Sequence, residues 1–122
     1  MAWYGVHVVM AVRFKDGNQN DFPAWENVYL VEAGNSDEAE QKAVSIGRSR
    51  EGDSSGTFQW NGRPASWKFA GIRRAIEISN DRSKENEPGD GAEVTYQTIA
   101  FRDEKDLQAY VSGEQITLTV VD

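Results

Sequence analysis

Cysteine is absent from this chain of 122 residues, and histidine occurs once, at His7. The lack of cysteine excludes disulfides, thiolate nucleophiles, iron–sulfur clusters and zinc sites with thiolate ligands. The apolar runs are far shorter than a membrane-spanning helix, and the N-terminus lacks the basic and apolar segments of a signal peptide. We therefore expect a cytoplasmic protein that contacts no membrane.

Positive charge is also scarce, because 13 Lys and Arg are outnumbered by 20 Asp and Glu and the formal net charge is −7. Generic binding to nucleic acid depends on clustered cations, so this acidic balance makes nucleic acid a disfavoured partner. The cations concentrate between Arg48 and Lys84, while both ends of the chain are acidic. Two interpretations stay open: the acidic ends neutralise this segment in the folded protein, or the segment forms a basic patch.

The first half of the chain has the pattern of a strand hairpin followed by a helix, within a single predicted domain, residues 1–122. Every second residue from Tyr4 to Phe14 is apolar, which is the period of a strand with one buried face. Turn formers and a second strand pattern, Trp25 to Ala33, predict an antiparallel hairpin. The period then changes to that of a helix, with Asn35 or Ser36 as the N-cap and Arg50 near the end, where a cation suits the helix dipole.

The second half of the chain continues with strand and helix patterns. Asn61-Gly62 predicts a tight hairpin turn, and Asp103 is positioned to cap a short helix. Three further strands are expected, at Trp67 to Ile78, Glu93 to Phe101 and Gln115 to Val121. The predicted order is β-β-α-β-β-α-β, an α+β fold in which an antiparallel sheet of about five strands carries two helices on one face.

Five short motifs occur in an order that is typical of one protein family. They are Trp3-Tyr4, Glu26 to Ala33 (E-x-x-x-L-V-E-A), Ser36 to Ala39 with Lys42-Ala43, Trp67 to Ile72, and Asp90 to Val94. Together they resemble a family of small bacterial domains of unknown function over roughly the first hundred residues. The resemblance implies a compact α+β domain, and it implies no reaction.

No constellation of residues predicts catalysis or metal binding. The sequence contains no cysteine that could pair with His7 and no G-x-S-x-G motif, so we interpret His7 as a packed or hydrogen-bonded strand residue. The oxygen-rich run Asp16 to Asn20 departs from a calcium loop at Asp21 and Asn27, where glycine and glutamate are needed. We expect no catalytic residue, no metal and no cofactor.

Trp60, Arg63 and Trp67 surround the Asn61-Gly62 turn and combine two indole rings with a guanidinium. Arginine stacked on an aromatic ring contributes about 0.5–2 kcal/mol, and Trp and Arg are frequent anchors of protein interfaces. With Arg73 and Arg74 these residues form the candidate binding site. The alternative is that both Trp side chains fill the core.

We predict a non-enzymatic protein-interaction or binding module whose partner is another protein. The alternative is a module that binds anions or single-stranded nucleic acid through the central Arg/Trp patch, since interleaved rings and cations suit that ligand. A homo-oligomer is a further expectation, because Trp3, Val9 and Ala11 place apolar area on the second face of the first strand.

Overall fold

The structure, a computed structural model, describes residues 1–78 and 88–122. Within them the chain forms six strands and two helices. In chain order these are β1 (Ala2–Phe14), β2 (Ala24–Ala33), α1 (Ser36–Ser49), β3 (Gln59–Trp60), β4 (Arg63–Glu77), β5 (Thr98–Ala100), α2 (Glu104–Val111) and β6 (Thr119–Val121). The predicted α+β class with an antiparallel sheet and two helices is confirmed.

The described strands form two sheets, where the sequence predicted one. The main sheet is antiparallel with strand order β2-β1-β4-β3, and β5 and β6 pair in a separate two-stranded sheet. The predicted strand from Glu93 to Phe101 is shorter because its first half leaves the strand path and crosses the main sheet near Gly5. Only α1 packs across β1, β2 and β4; the short helix α2 contacts the region of the small sheet, where Tyr110 meets Phe101.

Local signals predicted the N-terminal ends of both helices and one turn correctly. The Asn35 side chain accepts a hydrogen bond from the Glu38 amide at 2.8 Å and so caps α1. Asp103 caps α2 by accepting from the Asp106 amide at 2.8 Å. Asn61 and Gly62 have φ angles of 50° and 77°, which are those of a type I′ turn. This turn joins β3 directly to β4, so β4 begins before the predicted start at Trp67.

The alternation of β1 gives the main sheet a buried face, called here the first face. Its side chains on β1 are all buried: Tyr4, Val6, Val8, Met10, Val12 and Phe14. Helix α1 covers this face through Ala39, Ala43 and Gly47, which are also buried. Because these helix residues are small, the backbone of α1 lies close to the sheet.

Gly47 is the position of closest approach between α1 and the sheet. A Cβ atom placed there would lie 2.5 Å from Phe69 Cδ1, 2.8 Å from Phe69 Cε1 and 3.1 Å from Val8 Cγ1. Real Cβ atoms do not approach other atoms this closely, so the packing requires a residue without a side chain. Glycine at this helical position therefore serves the contact with the sheet, at a cost in helix propensity of about 1 kcal/mol.

Candidate functional site

Strand β2 forms one edge of the main sheet, and no strand in residues 1–78 and 88–122 pairs with its outer side. The Val12 amide donates to the Pro23 carbonyl at 2.8 Å, just before β2 begins. Bonded pairs alternate along an antiparallel ladder, so the odd-numbered residues of β2 are those whose backbone groups bond to β1. Because successive residues direct their backbone groups to opposite sides, the even-numbered residues of β2 point outward. The outward Glu32 carbonyl accepts from Lys42 Nζ at 2.7 Å. Glu26, Val28 and Leu30 thus present their N–H and C=O groups along the edge.

The odd-numbered side chains of β2 line a cavity on the first face, just beyond the end of α1. The cavity has a volume of about 320 Å³. Its lining consists of Met10, Trp25, Asn27, Tyr29, Arg50 and Trp67, and we call it the aromatic cleft. This volume is at the small end of the range for ligand pockets, about 300–1,000 Å³. The cleft therefore accommodates one side chain or one ring system of similar size.

The walls of the aromatic cleft are aromatic rings held in mutual contact. The Trp25 and Trp67 ring centroids are 4.8 Å apart, with planes tilted by 46°. Trp60 lies edge-on to both of them, at 6.4 Å from Trp25 and 6.0 Å from Trp67, and Phe58 stacks on Trp67 at 5.2 Å. Contacts of this kind contribute about 0.5–1.5 kcal/mol each beyond area burial. They fix Trp25, although 53% of this residue is exposed to solvent.

The polar groups of the cleft lie at its other end. The Arg50 guanidinium carbon is 5.5 Å from the centroid of the Tyr29 ring, which is a cation–π arrangement. Asn27 stands between Trp25 and Tyr29 on the same face of β2. The cleft is therefore apolar near Trp25 and cationic near Tyr29.

The opposite, second face of the sheet carries an exposed apolar patch around Gly5. Val28, Leu30 and Val94 form this patch and are 40%, 48% and 47% exposed, respectively. A Cβ on Gly5 would collide with the Val94 carbonyl oxygen, so glycine allows the segment 92–96 to cross β1 at this point. The expectation of a homo-oligomer rested on this face, where Trp3 and Val9 are half-buried and Ala11 is buried.

His7 holds the same segment to the second face. It is 3% exposed, its Nδ1 lies 2.6 Å from Glu26 Oε2, and its Nε2 contacts the Thr95 hydroxyl. The order of hydroxyl, imidazole and carboxylate also occurs in serine hydrolases. Here the hydroxyl belongs to an irregular segment and not to a strained strand-to-helix turn. The geometry favours a structural role that ties β2 and segment 92–96 to β1.

The five candidate site residues from the sequence do not form one site. Trp60 and Trp67 do lie together, beside the aromatic cleft. Arg63 instead binds both carboxylate oxygens of Asp16, with Nη2 at 2.9 Å from each, and stacks over Phe14. Arg73 pairs with Asp122, and Arg74 lies opposite His7 on the second face and donates to the Tyr96 carbonyl.

The same contacts bear on the basic segment between Arg48 and Lys84. Arg63 and Arg73 pair with acidic residues from the two ends of the chain, which agrees with the neutralisation that the charge distribution suggested. Arg48 and Arg50 instead lie over aromatic rings. Arg82 and Lys84 lie outside the described residues.

Sequence reasoning missed Trp25, Asn27, Tyr29 and Arg50 as site residues. The alternation of β2 already placed the first three on one face, and the hairpin register sets Trp25 opposite Met10. Arg50 was explained by the helix dipole alone. Its position over Tyr29 depends on the angle at which α1 crosses the sheet, which no local pattern specifies.

Asp16 provides a test of the Arg63 contact. The Asn18 amide donates to its carboxylate, and this bond, followed by the contact with Arg63, holds the pKa of Asp16 below its ordinary value. We expect Arg63→Gln to raise the pKa of Asp16 only part of the way back, because the Asn18 bond remains. An NMR titration of the Asp16 carboxyl carbon measures this shift.

The sign of the resulting pH effect follows from the lowered pKa. The Asp16 contribution to stability is present above the pKa of the unfolded chain and is lost as pH falls through the lower pKa of the folded protein. In Arg63→Gln the contribution should be smaller, and its loss should be complete at a higher pH than in the wild-type protein. An unchanged Asp16 titration in the variant would show that the ion pair does not form in solution.

A known protein family matches most of the chain. The family described as Domain of unknown function (DUF4288) matches residues 3–95. The chain belongs to this family. The matched part of this DUF4288 chain contains the main sheet, α1, the aromatic cleft and the segment that crosses Gly5. Searches of the curated proteins and of the solved structures found no match.

Two further observations describe the DUF4288 chain. No helix within residues 1–78 and 88–122 has the length and apolar character to cross a membrane. In the same residues, no group of three or more His, Asp or Glu side chains is arranged to hold a metal ion.

Proposed function

We propose that this protein is a non-enzymatic interaction module that binds an extended segment of another protein along β2. The observation that carries the proposal is the outward backbone of Glu26, Val28 and Leu30, with the aromatic cleft on one face of β2 and the apolar patch on the other. In strand addition, main-chain hydrogen bonds provide affinity and pockets for alternate side chains provide specificity. β2 supplies both requirements.

The composition of β2 supports this proposal. Proteins usually protect an exposed sheet edge with lysine, proline or a very short strand. β2 has ten residues, contains neither lysine nor proline, and exposes Trp25, Val28 and Leu30. Exposed apolar side chains beside an available strand edge are typical of a surface that a partner covers. As part of the proposal we place the module in the bacterial cytoplasm, where a chain without cysteine needs no oxidising environment.

Binding of anions or single-stranded nucleic acid remains the second candidate function. It is favoured by Arg50, whose guanidinium lies beside the rings of the cleft, because stacking rings and cations together hold single strands. This function predicts affinity for single-stranded oligonucleotides that falls steeply with salt concentration.

Val28→Pro tests strand addition directly. Proline removes the outward N–H of Val28, while the hydrogen bonds between β1 and β2 use odd-numbered residues and remain. We expect decapeptides selected from a random display library on the wild-type protein to bind Val28→Pro at least about tenfold more weakly, a change of 1.4 kcal/mol. Fluorescence anisotropy of labelled peptides measures the affinity, and circular dichroism checks the fold.

The matched control is Val28→Ala, which shortens the same side chain and keeps the N–H. It should retain most of the affinity if the backbone carries the binding. Equal losses in both variants would contradict strand addition, and so would a library from which the wild-type protein selects no peptide. Tight, salt-sensitive binding of single-stranded DNA in the same assay would favour the second candidate function.

A further inference from the structure

We infer that the partner segment carries an acidic residue, directly followed by an apolar residue, and an aromatic residue four positions after the acidic one, and that Arg50 selects the acidic position. This inference rests on the proposed function, because it requires that the segment pairs with β2. It adds the chemical identity of three side chains and assigns each to a surface of this protein.

The spacing follows from strand geometry. A strand added to β2 places every second side chain on the first face, where such neighbours are about 6.5–7 Å apart. On that face the cleft runs along β2 from Trp25 through Asn27 to Tyr29. Trp25 and Tyr29 are four positions apart on β2, so the side chains of the added strand that lie over the two ends of the cleft are also four positions apart. The residue next to each of them points to the second face.

The end of the cleft near Trp25 recognises an aromatic ring. Trp25 and Trp67 form a tilted pair of indoles, Met10 lies at the base, and Trp25 keeps about half of its surface exposed. A further ring can pack on that exposed indole in an offset or edge-on arrangement. The cavity volume of about 320 Å³ fits one such ring.

The end of the cleft near Tyr29 recognises a carboxylate. The Arg50 guanidinium lies over Tyr29, and no ion pair among residues 1–78 and 88–122 includes Arg50. The nearest acidic residue in sequence, Glu51, accepts a hydrogen bond from the Phe69 amide at 2.9 Å. A guanidinium stacked on a ring offers its planar fork to a carboxylate in a bidentate arrangement.

The direction of the segment sets the order of the three residues. All pairs in the main sheet are antiparallel, and antiparallel pairing is slightly more stable per residue. An antiparallel segment meets the Tyr29 end first and the Trp25 end last, so its acidic residue precedes its aromatic residue. The residue that directly follows the acidic one lies opposite Val28 on the second face, where Val28 and Leu30 are apolar and exposed.

Charge reversal at Arg50 is the test. Random decapeptides are selected in parallel on the wild-type protein, on Arg50→Glu and on the matched control Arg48→Glu. Arg48 is the other cation at the end of α1, and it lies over Phe69, outside the lining of the cleft. The readout is the residue enriched four positions before an aromatic residue.

We expect Asp or Glu at that position for the wild-type protein and for Arg48→Glu, and Lys or Arg for Arg50→Glu. A labelled wild-type peptide should lose at least about tenfold in affinity when its acidic residue is replaced by lysine. Enriched peptides with no acidic preference, or the same preference on Arg50→Glu, would overturn this inference without contradicting the proposed interaction module. Failure of the wild-type protein to enrich any peptide would overturn both.

Discussion

His7→Ala is expected to lower the free energy of unfolding by about 2–4 kcal/mol. The substitution removes a buried ring and leaves the Glu26 carboxylate and the Thr95 hydroxyl without their partner. Glu26 is partly exposed and can turn toward water, which keeps the loss below the full cost of an unpaired buried charge. Urea denaturation followed by tryptophan fluorescence measures the change.

Thr95→Val separates the two contacts of His7. It keeps the shape of the side chain and removes only the hydroxyl, so the expected loss is about 1 kcal/mol.

In His7→Ala the amides of segment 92–96 should also exchange faster with solvent, because the imidazole ties that segment to the sheet. Wild-type stability and unchanged exchange in His7→Ala would show that the network does not hold the segment.

Gly47→Val is the second substitution with a large expected effect, a loss of about 2–3 kcal/mol in the free energy of unfolding. Its Cβ would collide with the Phe69 ring, and its methyl groups would crowd Val8, which is completely buried. Valine has a better helix propensity than glycine, so any destabilisation arises from the contact with the sheet. Chemical denaturation of the variant measures it.

Two further variants make the result specific. Ser45→Val introduces the same β-branched residue at an exposed position of α1 and should change stability by no more than about 0.5 kcal/mol. Phe69→Ala removes the ring that a Cβ at position 47 would meet. The double variant Gly47→Val/Phe69→Ala should therefore lose less than the sum of the two single losses. Additive losses would show that the destabilisation caused by Gly47→Val does not arise from the contact with Phe69.

Local features of the fold were predictable from the residues alone. The alternation from Tyr4 to Phe14 predicted which side chains of β1 are buried, and Asn35 and Asp103 do cap the two helices. These features depend on periods and side-chain bonds that span only a few residues. The turn at Asn61 and Gly62, with its positive φ angles, was predictable for the same reason.

The candidate site was predictable only in part. Trp60 and Trp67 were recognised because a hairpin turn brings them together, and the structure does so. Arg63 was read as a neighbour of these rings, yet it binds Asp16, a residue of the first loop. That pairing joins positions far apart in sequence, and the spacing of residues near the turn contains no information about it.

The sequence by itself determined the α+β class, the buried face of β1 and the N-terminal ends of the helices, because each depends on neighbours along the chain. Only the tertiary structure decided that β2 is an edge, that Arg50 reaches Tyr29, and that residues 92–96 cross the sheet at Gly5 instead of extending a strand. The physical reason is that these features arise from contacts between distant segments, where packing and buried hydrogen bonds outweigh the local preference of the residues involved.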